Sequence, residues 1–269
     1  MKDQAVAIAK SKTDIREAKN ELREYLQHVI LRKMFELNMN RDLVFHGGTA
    51  LRIIHSLGRF SEDLDFHVLN PETQFDFEKS ILKIIRELKL NGYITTVKMN
   101  TTKTVQSALI KFSGLLFEAN LSPLPAENIR IKVDVDTHPP WGFSTDKTMV
   151  NTYFPFSVLH HDKESFFAGK CHAVFQRQYT KGRDYFDLLF YLSRWTEIQP
   201  NFIYLNNCLG QSGYSGPPFS AANWKKLFLE KLQHVDWEFV QSDVKPFVGS
   251  LADMQLLSYD TFERLLNED

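Results

Sequence analysis

The strongest constraint on this chain is a glycine pair between a short apolar run and a helical segment, followed by a strand carrying two aspartates. Leu43 to Phe45 reads as a strand that runs into Gly47-Gly48, and Thr49 to Leu57 reads as a helix that Gly58 ends. Asp63 to Leu69 then alternates, with Leu64, Phe66 and Val68 on one side and Asp63, Asp65 and His67 on the other. A tight turn at a helix start gathers unpaired backbone N–H groups and the Thr49 hydroxyl, which together with the helix dipole favour a phosphate. Glycine at such a turn permits close approach.

Period-two geometry puts Asp63 and Asp65 on one face, where their repulsion is relieved best by a cation between them. An oxygen-rich, partly hydrated site suits Mg²⁺, with substrate phosphates completing the shell. Ile129 to Asp136 is a second alternating strand, with Arg130, Lys132, Asp134 and Asp136 opposed to Ile129, Ile131, Val133 and Val135. Asp134 is the natural third carboxylate, although Asp136 shares its face. Three carboxylates can hold two metal ions, one activating an attacking hydroxyl and one stabilising a leaving pyrophosphate. Two Mg²⁺ ions are therefore expected, with Mn²⁺ as a substitute.

Elsewhere the spacing predicts helices over 13–37, 75–88, 163–178, 184–195, 224–234 and 247–266, and strands near 93–99 and 108–112. The stretch 201–218, with Gly210, Gly213, Gly216 and two prolines, reads as a loop-rich connection. The pattern is an α+β chain: a mixed sheet with flanking helices over 1–157, then a mainly helical region over 158–269 that completes the cleft. A formal net charge of −1 excludes bulk attraction for nucleic acid, so any such surface must be local. Cys171 and Cys208 lack metal-ligand spacing, and His160-His161 lacks partners for zinc. The N-terminal segment has no apolar leader, and no window approaches the roughly 20 apolar residues of a membrane span. A cytoplasmic protein without a membrane partner is expected.

The run FHGGTALRIIHSLGRFSEDLDFHV resembles the signature of the AbiEii/AbiGii toxin family of nucleotidyltransferases, within the polymerase-β superfamily. AGKCHAVFQRQYTKGRDYFDLLFYL resembles that family's second characteristic stretch, so the likeness runs from about Val44 to Leu192. The resemblance implies the polymerase-β-type fold and a triphosphate held by Gly47, Gly48 and Thr49. It implies metal ligation by Asp63, Asp65 and Asp134, with Lys170 on the nucleotide phosphates. Asp187, or its neighbour Asp184, is implied as a further essential acid. It also implies a toxin of a type IV-like toxin–antitoxin or phage-defence system, with an antitoxin encoded nearby and the tRNA 3′ end as acceptor.

Arg52, on the helix that leaves the glycine turn, is a further nucleotide-binding candidate. Arg52, Arg59, Lys170, Arg177, Lys181 and Arg183 are candidates for a local basic surface. His46 reads as a turn or packing residue, and Arg183 with Asp187 has the i, i+4 spacing of a plain intrahelical pair. Two other readings stay open: transfer to a protein or small-molecule acceptor, and a catalytically silent nucleotide-binding module.

Overall fold

The computed structural model describes residues 1–72, 75–249 and 254–267. Seven strands form one mixed sheet in the order β3-β4-β5-β2-β1-β7-β6. They are β1 (Leu43–His46), β2 (Leu64–Val68), β3 (Ile94–Asn100), β4 (Val105–Ser113), β5 (Ile129–Asp136), β6 (Thr145–Val150) and β7 (Phe156–His161). β1 runs antiparallel to β2, β2 parallel to β5, and β4 antiparallel to both β3 and β5. This is the mixed sheet with flanking helices expected from the alternating segments.

The chain divides into two compact units, one of Met1–Ser56, Phe60–Pro139 and Lys147–His160, the other of Leu57–Arg59, Pro140–Asp146 and His161–Asp269. In the first, α1 (Lys2–Lys10) lies along α2 (Ile15–Glu36), which Asp14 starts by accepting the Glu17 N–H. Ala18, Leu22, Leu26, Val29 and Ile30 of α2 are buried, and Ile81, Ile84 and Leu88 of α4 (Phe77–Leu90) join them. The buried rows of β5 (Ile129, Ile131, Val133, Val135) and β4 (Ala108, Ile110, Phe112) complete this core. Alternation then forces the charged rows of those strands onto the opposite face.

After the one-turn α5 (Leu115–Glu118) of the first unit, the second unit contains α6 (Lys163–Gln176), α7 (Gly182–Arg194), α8 (Phe202–Gln211), α9 (Trp224–Leu232), α10 (Trp237–Val244) and α11 (Tyr259–Asn267). α7 begins on glycine for a packing reason, since a Cβ at Gly182 would overlap the Val240 carbonyl of α10.

Several expectations need correction. The stretch 201–218 is not loop throughout, because Asn201 caps α8 and Tyr204, Leu205, Cys208 and Leu209 are buried along it. Its glycines misled by composition: Gly210 sits inside the last turn of α8, and only Gly213 adopts positive φ (76°) after it. α1 was not foreseen from its polar composition, nor were β6 and β7. Of the expected helix 247–266, Lys245–Phe247 is a 3₁₀ turn and Val248 bridges to Arg59; Met254 and Gln255 are helical, Leu256 to Ser258 are not, and helix runs again over Tyr259–Asn267, while residues 250–253 lie outside the described ones. Ser56, at φ 60°, ends the helix after the glycine turn instead of Gly58. Ile15 and Phe35, at the two ends of α2, are 58% and 36% exposed although both are apolar.

Candidate active site

The glycine turn and the aspartate strand are built into each other. β1 delivers the chain to Gly47, where α3 (Gly47–His55) starts directly with His46 as its cap residue. Gly47 has φ 80°, and a Cβ there would lie 2.6 Å from the Asp65 Oδ2. Glycine is thus required twice over: by the left-handed backbone and by the approach of a carboxylate. Thr49 is buried, and its hydroxyl donates to the backbone carbonyl of Asp63, tying α3 to the start of β2. Its sequence-predicted place in the turn holds, but its hydroxyl is engaged by protein. Gly48 is buried beside it.

Strand register sets the carboxylates. His46, Asp65, Asp134 and Ser107 are direct neighbours in a row across β1, β2, β5 and β4. The adjacent row is Val44, His67, Asp136 and Val105. Asp134 therefore faces Asp65, while Asp136 faces His67 and accepts the His138 backbone N–H at 3.0 Å. Burial pushes the Asp136 carboxyl above its ordinary range, against the pull of that N–H. Asp63 lies just before the strand proper, which begins at Leu64. The His46 and His67 rings lie with centroids 3.9 Å apart and planes tilted by 35°, so the two histidines form one aromatic pair beside the acids.

Sequence reasoning overlooked Lys132, although its i−2 spacing from Asp134 puts it on the same face. Its Nζ donates to Asp134 Oδ2 at 2.6 Å. That hydrogen bond, with the fields of Asp134, Asp63 and Asp65, holds the Lys132 ammonium above its ordinary value. The three expected acids thus act on one cationic point. The other Asp134 oxygen, Oδ1, is buried with no hydrogen-bond partner. Among the described residues no three His, Cys, Asp or Glu side chains are grouped tightly enough to hold a metal as they stand. The donor chemistry fits a hard cation nonetheless: opposed carboxylates, one orphaned buried oxygen, and an ammonium already supplying positive charge. Arg52 donates to Glu24 of α2 at 2.7 Å and lies 4.6 Å from the Phe60 ring centre.

The second unit holds Lys170, Asp184 and Asp187 in a buried ionic cluster. Arg59 grips Asp187 through two hydrogen bonds of 2.6 Å each, and Lys170 Nζ reaches Asp187 at 2.6 Å and Asp184 at 3.1 Å. Arg177 Nε closes on Asp184 at 2.6 Å. Burial draws Lys170 down, but Asp187 and Asp184 outweigh it and leave the ammonium above its ordinary value. Burial likewise raises the Asp184 carboxyl, and Lys170 with Arg177 overcomes it, so the carboxyl sits below its ordinary range. The i, i+4 pairing of Arg183 with Asp187 is not formed in this cluster; Asp187 takes Arg59, and Arg183 lies over the Phe247 ring at 4.2 Å. Arg59 and Lys170 are buried and present no open basic surface, whereas burial lowers the Lys181 ammonium and the nearby Arg183 and Arg177 depress it further.

The His160 ring shares a hydrogen bond with the Thr148 hydroxyl, and the His161 ring stacks on Phe143. Both cysteines are buried and neither is in a disulfide, and burial pushes the Cys171 thiol well up. No helix among the described residues is long and apolar enough to cross a membrane.

A family profile described as "Nucleotidyl transferase AbiEii toxin, Type IV TA system" matches residues 29–268. Among solved structures, the chain is similar to MenT4, a nucleotidyltransferase toxin of Mycobacterium tuberculosis. That likeness has a TM-score of 0.60 at 15% identity and covers 100% of this chain and 90% of that one. It is also similar to JHP933 of Helicobacter pylori (TM-score 0.56, 19% identity, 91% of this chain and 88% of that one). At these identities the two structures speak to the fold. No curated protein matches the chain by sequence.

Proposed function

Since the chain belongs to the AbiEii nucleotidyltransferase toxin family of toxin–antitoxin systems, we propose that it transfers a nucleoside monophosphate from an NTP to the 3′-hydroxyl of tRNA. The observation that carries this reading is the register that sets Asp134 against Asp65, with Thr49 tying the glycine turn to Asp63. Asp63, Asp65 and Asp134 would hold Mg²⁺, which when bound activates the acceptor hydroxyl and offsets charge on the departing pyrophosphate.

The chain's own residues do the positioning. Gly47 leaves room for the Asp65 carboxylate, and the α3 N-terminus offers backbone N–H groups to a phosphate. Lys132 keeps the carboxylates compatible with one another and would yield Asp134 Oδ2 to the metal. Asp134 is preferred to Asp136 as third ligand because its Oδ1 lacks a partner, whereas Asp136 serves the His138 turn. For Lys170 and Asp187 the catalytic reading comes from the family resemblance. Toxicity, neutralisation by an antitoxin and a part in phage defence follow from the same source.

The experiment is incubation with labelled NTPs, Mg²⁺ and total tRNA. Wild type should label tRNA 3′ ends, and Asp65→Asn should reduce labelling at least about 100-fold, as loss of a metal-ligating charge implies. Equal incorporation by both proteins sinks the mechanism. Label appearing in protein or small molecules instead would keep the chemistry and change the acceptor.

A further inference from the structure

The exposed face of β3, β4 and β5 carries a set of cations that the carboxylate site does not explain. On β5, Arg130 and Lys132 precede Asp134 at two-residue steps along the same face. Each step is about 6.7 Å, so Arg130 lies about 13 Å from Asp134 along the strand. On β4, Lys111 is directly opposite Arg130. On β3, Lys98 is opposite Leu109, which is itself opposite Lys132, placing Lys98 about 10 Å across the sheet from that lysine. Lys98, Arg130 and Lys132 are exposed and Lys111 is half-buried.

Three physical points make this face unlike an ordinary solvated one. First, like charges directly opposed on neighbouring strands are unfavourable, yet Lys111 and Arg130 occupy such a pair. Second, among the described residues no acidic side chain is bonded to Lys98, Lys111 or Arg130, whereas Lys132 on the same face is held by Asp134. Third, the only carboxylates in the outward rows of these three strands are Asp134 and Asp136, at the end where the site lies. In a chain of net charge −1, the positive charge is therefore local and leads to the reacting centre.

We propose that this sheet face binds the phosphate backbone of an RNA acceptor, with Lys98, Lys111 and Arg130 as the phosphate contacts that feed its 3′ end toward Asp65 and Asp134. The proposal rests on the nucleotidyl-transfer reading above for the identity of the acceptor. The contacts are of a kind that positions a strand without reading its sequence, because lysine and arginine meet phosphate as charge. The surface differs from the one expected from sequence, of whose members Arg59 and Lys170 are buried in ion pairs.

The test compares wild type with the triple variant Lys98→Gln/Lys111→Gln/Arg130→Gln by binding of fluorescein-labelled tRNA over a salt series. A second triple variant, Lys79→Gln/Lys83→Gln/Arg86→Gln, removes the same formal charge from the exposed side of α4, whose buried side packs on the core. Wild type should show log affinity falling linearly with log salt. The sheet variant should bind at least about 10-fold more weakly, with a slope smaller by about 2–3, as expected for losing that many phosphate contacts. The α4 variant should match wild type. Circular dichroism and NTP binding, unchanged in the sheet variant, would show that the fold and the nucleotide site survive.

Equal weakening by the two variants would overturn the proposal, as would wild-type binding by the sheet variant. Preference for a DNA of the same sequence would overturn the RNA assignment. Failure of the transfer reading itself is seen separately, as absence of any Asp65-dependent label in any acceptor.

Discussion

Asp187→Asn should unfold the second unit much more readily than loss of the lysine it contacts. Five charged groups form the cluster: Arg59, Lys170 and Arg177 against Asp184 and Asp187. Asp187 is fully buried, and its partners Arg59 and Lys170 have side chains only 3% and 11% exposed. Neutralising Asp187 leaves three cations facing one carboxylate, with Arg59 stripped of its two-point partner. Breaking a buried pair in this way costs about 3–5 kcal/mol, because the surviving charge is left desolvated and uncompensated. Lys170→Met has a different outcome. Asp187 keeps Arg59 and Asp184 keeps Arg177, so two matched pairs remain and a methylene chain fills the space. Its cost should stay within about 1–2 kcal/mol. Urea unfolding followed by tryptophan fluorescence reads the difference, supported by thermal melts in which Asp187→Asn falls by on the order of 10 °C. The ranking also isolates chemistry: a Lys170→Met protein that is folded but inactive places the lysine in the reaction. Equal destabilisation by the two substitutions, or a wild-type midpoint for Asp187→Asn, would refute the charge argument.

Gly47→Ala should lose about 1–2 kcal/mol from the left-handed backbone alone, and its methyl should drive Asp65 aside, with transfer activity down roughly 100-fold; denaturation midpoints and labelled-NTP incorporation check both. Thr49→Val should cost about 1–3 kcal/mol by removing the buried hydrogen bond to the Asp63 carbonyl, while Thr49→Ser retains that bond and wild-type stability. In acid, Asp184 contributes stability that is fully present above its ordinary pKa of 3.8 and is lost as pH falls through its lower value in the folded chain. Lys170, raised from 10.5, contributes stability present below that value and lost only as pH rises through its higher folded value. Unfolding free energy should therefore drop below about pH 4, and Asp184→Asn should flatten that acid limb in a pH series of urea titrations.

Elements with strict local periodicity were legible in the sequence. β5 spans the expected 129–136, and the strand–glycine–helix–strand order around Asp63 and Asp65 stands, because alternation and glycine chemistry act over a few residues. The sequence also carried the family, since the runs around Gly47 and Lys170 hold the resemblance that the family profile matches over 29–268. α8 was hidden by its glycines, and β6 and β7 have no clean alternation to announce them; their strand state comes from pairing in the sheet. Tertiary structure alone decided which acid faces Asp65, since the parallel register of β2 and β5 is a relation between distant segments. It alone turned the Thr49 hydroxyl to Asp63, set Lys132 on Asp134, and buried Arg59 with Lys170 against Asp187. Ion pairs between residues 128 positions apart leave no local pattern, because the energy that fixes them comes from burial, which one segment cannot create alone.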